Sequence, residues 1–406
     1  MTETARPGNP DDIRFAALVV FAGLAIAMRY LTELWTFDAN GFSVMSDKLP
    51  YWDFTNLWAG SRMAISGHVA DLFDVEAYRA HLRAMFSPLL PDQEWSYPPS
   101  MLLFGAPLAL MPILPAYLIW TFATIFAFWL AIRPLRLGLA GEAALLASPA
   151  IVVDAIFGQN GALTAALLIG GLGVAPLRPF LGGILIGLLT IKPHLGALAP
   201  FALLATGNWR AILAAAATAA LLAAATGLLF GFDVWAGFWW QTRPLMTAIL
   251  EAPFPQPYHA NAMTVFFLAR TVGLDLTPAY ALQALSALIA VGATIWLWRP
   301  ARMATVLEKA VLTGILALLA TPYGYTYDAI AVAAGVALLF RQETALPRLF
   351  LGLVWLFPYV AHLLNQAGFG IGVLSPLLVA ATMMRSIARR EEHAATVGLA
   401  AEPRPV

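Results

Sequence analysis

Long apolar runs separated by a glycine, a proline or a short polar step occupy most of the chain. A helix needs about 20 such residues to cross a hydrocarbon core of about 30 Å. Residues 15–35 meet that length in one unbroken run, and residues 101–130 do so around Pro107, Pro112 and Pro115. Further runs cover residues 142–157, 161–175, 180–191, 195–206, 211–230, 279–298, 309–320, 328–340, 349–361 and 370–384. Several are short, so tilt and mutual burial have to supply the missing length. The pattern predicts an all-α polytopic membrane protein, a bundle of about 11–13 transmembrane helices.

Arginine and lysine accumulate on the cytoplasmic side of membrane proteins. Here they mark the connections at Arg133 and Arg136, Arg299 and Arg302, Arg341 and Arg348, and the tail with Arg385, Arg389 and Arg390. Counting back from a cytoplasmic tail (389–406) through a single transmembrane domain (15–388) leaves residues 1–14 cytoplasmic. It puts two loops, 36–97 and 231–278, outside. The count requires residues 180–206 to cross twice; one broken helix there would reverse the parity of everything between it and Pro98. Residues 262–272 are too short to span and read as lying on the outer face, and Pro98 to Pro112 reads as re-entrant or interfacial. No small-residue cleavage site follows the first run, so that run is expected to be a retained helix.

The first loop interrupts this pattern. Between Thr36 and Tyr97 it holds eight acidic residues against four basic ones, out of 23 carboxylates in the chain. Phe54, Leu57, Trp58 and Ile65 share one helical face, with Asp53 placed as N-cap and Gly67 as the stop. Val75, Tyr78, Leu82, Met85 and Phe86 share another, with Arg79, His81 and Arg83 turned away and Asp71 and Asp74 suited to caps. The expectation is two amphipathic helices in the headgroup layer. The alanine-rich run 211–225 suits close helix packing.

Composition narrows the function. Hydrophobic residues make up 60% and charged residues 11% of 406, which fits a membrane bundle. A net charge of zero gives no basic surface for nucleic acid, and the absence of cysteine excludes disulfides and thiolate metal sites. The acidic spacing in the first loop permits a divalent cation without forming a recognisable ligand motif. His68, His81 and His393 read as solvent residues.

On the preferred topology, the unusual polar residues gather at the outer face: Asp53, Arg62, Tyr97, Asp154, Gln159, Asn160, Lys192, His194, His259, Asn261, Tyr325, Tyr327 and Asp328. A transporter would place such groups near the midplane between two related halves, and no internal repeat is visible. Asp154 sits inside an apolar run, where an ionisable group is costly unless paired or used. An aspartate can take a proton from a hydroxyl, and a lysine can hold a phosphate as a point charge. Each also has a plain reading: Asp53 a cap, Lys192 snorkelling from a helix end, residues 158–161 a tight turn, Tyr325 to Asp328 a helix cap.

The order of short motifs resembles glycosyltransferase family 87, a family of the GT-C class of integral-membrane enzymes. The motifs are Asp53-Phe54, Tyr97-Pro98-Pro99, Gly158-Gln159-Asn160-Gly161, Ile191-Lys192-Pro193, His259-Ala260-Asn261 ahead of Arg270, and Thr321-Pro322 followed by Tyr327-Asp328. His259 and Asn261 match the family's asparagine-containing motif loosely. The resemblance implies a GT-C-like bundle and transfer of mannose or a related hexose or pentose, with inversion, from a polyprenyl-phosphate carrier to a lipid or glycan acceptor. The expected setting is the outer side of a bacterial inner membrane. It implies Asp53 as the base. Lys192, His194 and Arg270 would then bind the donor phosphate, and Tyr97, Asp154, Gln159, Asn160, His259, Asn261, Tyr327 and Asp328 the sugar or acceptor. A lipid-linked-sugar flippase or other transporter, and an inactive scaffold, are the competing readings.

Overall fold

Helices follow the apolar runs, and the chain passes back and forth between two ends of one bundle. The structure is a computed structural model and describes residues 10–341 and 347–401. The outermost parts of both expected tails, residues 1–9 and 402–406, lie outside the described residues. Helix α1 (Pro10–Leu34) leads to Trp35, whose ring lies 5.9 Å from that of Tyr51. The first insertion follows as α2 (Trp52–Ile65), α3 (Val75–Met85) and α4 (Leu102–Ala109). Helix α5 (Ile113–Ile132) descends to the far end, and α6 (Gly138–Leu146) and α7 (Pro149–Phe157) return as a pair bent by 42°. Helix α8 (Gly161–Val174) leaves again.

The next segment is a hairpin and not one broken helix. Helix α9 (Pro179–Leu188) climbs to Lys192, and α10 (Pro193–Gly196) with α11 (Ala199–Ala205) turns back. Asn208 Nδ2 donates to the Ala175 carbonyl at 2.9 Å, so the segment starts and finishes at the same end. It is a hairpin with Lys192 at its tip. Helix α12 (Trp209–Phe230) then runs beside α9, where a Cβ at Gly183 would sit 2.3 Å from the Ala211 carbonyl oxygen. Small residues on both helices permit this approach, as the alanine-rich run suggested.

A second insertion comprises α13 (Asp233–Gly237), a π-helical turn (Phe238–Thr242), α14 (Arg243–Glu251) and α15 (Val265–Thr271). Helices α16 (Leu276–Leu297), α17 (Val306–Ala320), α18 (Ile330–Arg341), α19 (Arg348–Gln366) and α20 (Leu374–Ala401) complete the bundle. No strand forms among the described residues, only isolated bridges such as that between Ala262 and Tyr325.

Among the described residues, five helices are long and apolar enough to cross a membrane (in α1, α5, α12, α16 and α19), six if the bent α6–α7 pair is one span. This is an all-α polytopic membrane protein. Most of the remaining expected crossings fall on shorter helices, the last on the 28-residue α20, and placement explains the shortness of three of them. Helices α8, α17 and α18 are buried on nearly every side, whereas most of α1, α12 and α16 faces outward. A helix surrounded by protein need not match the bilayer thickness.

The arginines of the turns between the long helices and of the last helix meet at one end. Arg341 donates to the carbonyls of Leu135 and Arg136, Arg302 pairs with Glu391 at 2.5 Å, and Arg390 pairs with Glu308 at 3.0 Å. Lys192, the first insertion and the second insertion sit at the opposite end.

The first loop departs from expectation in three ways. Helix α2 is no surface helix: Phe54, Thr55, Asn56, Leu57, Ala59, Gly60, Ser61, Met63 and Ala64 are all buried, because α4 and the stretch around Trp95 cover the face that sequence periodicity left polar. Its N-cap is Tyr51, and Asp53 lies inside the first turn. Arg79 of α3 turns inward to pair with Glu94. Gly67, at φ +88°, ends α2 as expected, and Asp74 caps α3 by accepting from Ala77 N at 3.0 Å.

Candidate active site

The first-turn position of Asp53 aims its carboxylate at a turn more than a hundred residues away. Gly158 closes α7 in the left-handed conformation (φ +65°), and a Cβ there would lie 2.5 Å from Phe54 Cβ. Glycine is what lets this turn lie against α2. Gln159 is then fixed by its own backbone: its N–H donates to the Asp154 carbonyl at 2.9 Å and its carbonyl accepts from Trp120 Nε1 at 3.0 Å. Its side-chain Nε2 donates to Asp53 Oδ2 at 2.8 Å. Burial pushes the Asp53 carboxyl above the ordinary aspartate range, against the opposing pull of the Gln159 bond, Lys48 and Lys192. Asp53 keeps part of its surface open to the cavity described next, so desolvation comes from the protein walls and not from complete enclosure. A carboxylate made more basic and still reachable suits proton abstraction.

Lys192 enters from the hairpin tip. Its Nζ lies 2.5 Å from Asp328 Oδ1 and 5.0 Å from the centre of the Tyr327 ring. Asp328 also accepts from Tyr325 N at 3.3 Å, which ties the loop before α18 to the ion pair. Burial raises the Asp328 carboxyl, with Lys192 acting against the shift.

Both groups belong to one cavity of about 630 Å³. Of the sequence-predicted site residues, Asp53, Tyr97, Gln159, Asn160, Lys192, His194 and Tyr327 line it, and Asp328 stands directly behind Lys192. Three buried polar atoms on these walls have no partner among the described residues: Gln93 Oε1, Asn160 Oδ1 and His194 Nε2. Unpaired buried polar atoms are costly, and a ligand bearing several hydroxyls would satisfy them. Burial holds the phenols of Tyr97 and Tyr327 well above the usual tyrosine range, so they remain hydrogen-bond donors.

Sequence reasoning missed other wall residues. Glu94 accepts from Tyr258 Oη at 2.7 Å while it pairs with Arg79. Arg243 opens α14 at the rim, its guanidinium 4.3 Å from the Trp239 ring centre, and among the described residues no carboxylate pairs with it. Tyr280 and Tyr323 add aromatic surface beside Tyr325, which the sequence already places at the outer face. A second cavity, of about 580 Å³ between α1, α6 and α18, is almost wholly apolar and holds no comparable set of groups.

Comparison with known proteins decides the class. A family model described as Glycosyltransferase family 87 matches residues 95–322, more than half of the chain. The chain belongs to glycosyltransferase family 87. No curated protein and no solved structure matches it. The family-87 match takes in Gln159, Asn160, Lys192 and Arg243; Asp53, Tyr327 and Asp328 lie beyond its limits.

The other predicted residues of this glycosyltransferase serve its frame. Asp154 Oδ1 accepts from Gly161 N at 2.7 Å, which answers why a carboxylate sits in an apolar helix. His259 is buried against Phe254 and Phe267, with Nε2 3.0 Å from the Ile249 carbonyl. Asn261 Oδ1 accepts from Thr326 Oγ1 at 2.7 Å and lies 3.0 Å from His362 Nδ1. Arg270 Nη1 donates to the Leu274 carbonyl at 2.9 Å. None of the four lines the cavity. Asn261 still matters to its shape, because it anchors the loop that carries Tyr325 and Tyr327.

Proposed function

We propose that this glycosyltransferase moves a sugar, mannose or a related hexose or pentose, from a polyprenyl-phosphate carrier to a hydroxyl of a lipid or glycan acceptor, with inversion. One observation carries the reading: the Asp53 carboxylate and the Lys192 ammonium open into the same cavity, beside three buried polar atoms without partners among the described residues. Asp53 takes the acceptor hydroxyl proton as the oxygen attacks the anomeric carbon. The bond from that carbon to the phosphate oxygen breaks, and its electron pair leaves with the phosphate. Developing charge on the phosphate needs fixed cations. Lys192 supplies one, already oriented by Asp328, and Arg243 supplies a second that no carboxylate among the described residues neutralises. Gln93, Asn160 and His194 meet sugar hydroxyls, and the tyrosines offer faces for the apolar side of the ring.

The carrier chain leaves along the second insertion, where Phe232, Trp239 and Trp240 are exposed beside Arg243. The arginine-bearing end opposite the cavity supports an extracytoplasmic active face in a cytoplasmic membrane, since basic residues are retained inside.

The test uses the full chain in proteoliposomes with a radiolabelled polyprenyl-phosphate sugar and a membrane-lipid acceptor fraction. Transfer by the wild type and a loss of at least a hundredfold in Asp53→Asn support the proposal. Translocation of the labelled lipid without transfer would identify a flippase instead, and unchanged transfer in Asp53→Asn would remove Asp53 from the mechanism.

A further inference from the structure

Outside the cavity, the first insertion brings together three side chains that neither the family match nor the proposed reaction uses. His68 follows the glycine that ends α2, Asp71 lies in the short 3-10 turn of residues 70–73, and His81 is in the middle of α3. His68 Nδ1 lies 3.3 Å and His81 Nε2 2.9 Å from the same oxygen, Asp71 Oδ2, and all three atoms fall within 4.8 Å of one another. The two imidazole rings are 4.7 Å apart, centre to centre. Bonds of about 2.0–2.1 Å in a tetrahedral zinc site put neighbouring ligand atoms about 3.3 Å apart. The separations here are of that order before any adjustment. His68 and Asp71 stand three residues apart across a turn, and His81 meets them from α3, so two separate elements supply the three groups.

We infer that His68, Asp71 and His81 form a binding site for a divalent transition-metal cation of the zinc class. Two imidazoles and one carboxylate favour zinc over magnesium or calcium, which prefer all-oxygen shells. The side chains are 53%, 36% and 30% exposed, which leaves an entry path and room for water as the fourth ligand. The ion ties the end of α2 to α3. Asp53 stands in the first turn of α2, and Arg79 of α3 holds Glu94 on the cavity wall. The metal is therefore a staple for the segment that carries the candidate base, and none of its ligands lines the cavity.

The experiment uses the full chain, purified in detergent through a tag without histidines and stripped with a chelator. Zinc alone, and magnesium alone, are titrated by calorimetry. One zinc per chain with no magnesium heat is expected, with at least tenfold weaker binding in His81→Ala and none in His68→Ala/His81→Ala. Zinc should raise the melting temperature of the wild type only. These residues are on the surface, so the double variant in chelator should melt with the stripped wild type. Should the double variant not fold, cobalt is titrated into the wild type, where a tetrahedral absorption spectrum is expected. A wild type that takes up no stoichiometric zinc, a featureless cobalt spectrum, or a double variant that binds zinc as tightly would overturn the assignment and leave a hydrogen-bonded His-Asp-His trio.

Discussion

Replacing Gln159 by leucine tests whether the Asp53 carboxylate acts as a base. In the structure Gln159 Nε2 donates to Asp53 Oδ2 at 2.8 Å, so it favours the ionised form. A hydrogen bond to a charged group contributes about 1.5–3 kcal/mol. Asp53 borders an open cavity where water can take over part of that bond, so the lower figure applies. About 1.5 kcal/mol corresponds to roughly a tenfold rise in the proton affinity of the carboxylate. A base works only when ionised, so activity climbs with pH through the titration of Asp53 and levels off above it. Gln159→Leu should move that acid limb to higher pH. The variant should turn over about tenfold more slowly than wild type on the acid side and should approach wild type on the alkaline plateau. The measurement is kcat/KM for sugar transfer across a pH series in proteoliposomes, with Gln159→Glu as a second variant whose added negative charge should move the limb further. A uniform loss at every pH, with the limb in place, would mean that Gln159 binds substrate and that Asp53 is not titrating in the reaction.

Three further outcomes follow from the same geometry. Because burial raises the folded-state pKa of Asp53, the folded chain holds that proton more tightly than the unfolded chain. Stability from this group is therefore greatest below the unfolded aspartate range and falls as pH rises through the folded one; Asp53→Asn should melt higher than wild type at pH 8, with the gap closing in acid, by differential scanning fluorimetry. Asp328→Asn leaves Lys192 without its carboxylate inside the protein, and breaking a buried pair costs about 3–5 kcal/mol; a fall in melting temperature is expected, and an unchanged one would show that Lys192 is paired elsewhere. Gly161→Ala would place a Cβ 1.9 Å from the Tyr327 carbonyl oxygen and 2.8 Å from Asp154 Oδ1; overpacking of this kind costs about 1–3 kcal/mol or more, and lower stability together with weaker donor binding is expected in a thermal and a transfer assay.

Much of the frame was legible in the chain. Apolar runs located the helices, Lys192-Pro193 marked the tip of a real hairpin, and the arginine-bearing turns do meet at the end opposite the cavity. The errors have a common physical origin. Asp154, Asn261 and His259 drew attention as polar groups in apolar surroundings, and they proved to satisfy backbone amides, carbonyls and neighbouring loops, a need that every buried turn shares. Arg243 and Tyr258 passed unnoticed, and Glu94 and Arg79 read only as loop charges, because polar residues in polar loops carry no periodic signal that separates an inward charge from a solvated one. Periodicity turned Arg79 to solvent, but Glu94, beside Trp95, meets it from the cavity wall. The His68, Asp71 and His81 cluster was invisible for a different reason. Its spacing crosses a turn and half a helix and matches no familiar ligand pattern.

The salt link between the hairpin tip and the loop before α18 has a bearing on how the protein is made. Lys192 is synthesised and threaded into the bilayer 136 residues before Asp328 exists. Until the later segment arrives, the ammonium lacks its direct salt-bridge partner and has only the more distant carboxylates of Asp53 and Asp154 to balance it. The closing of the cavity wall at Asp328 is thus deferred to the last fifth of translation. A ribosome stalled ahead of Asp328 would leave a chain whose first helices are seated but whose chamber has no floor.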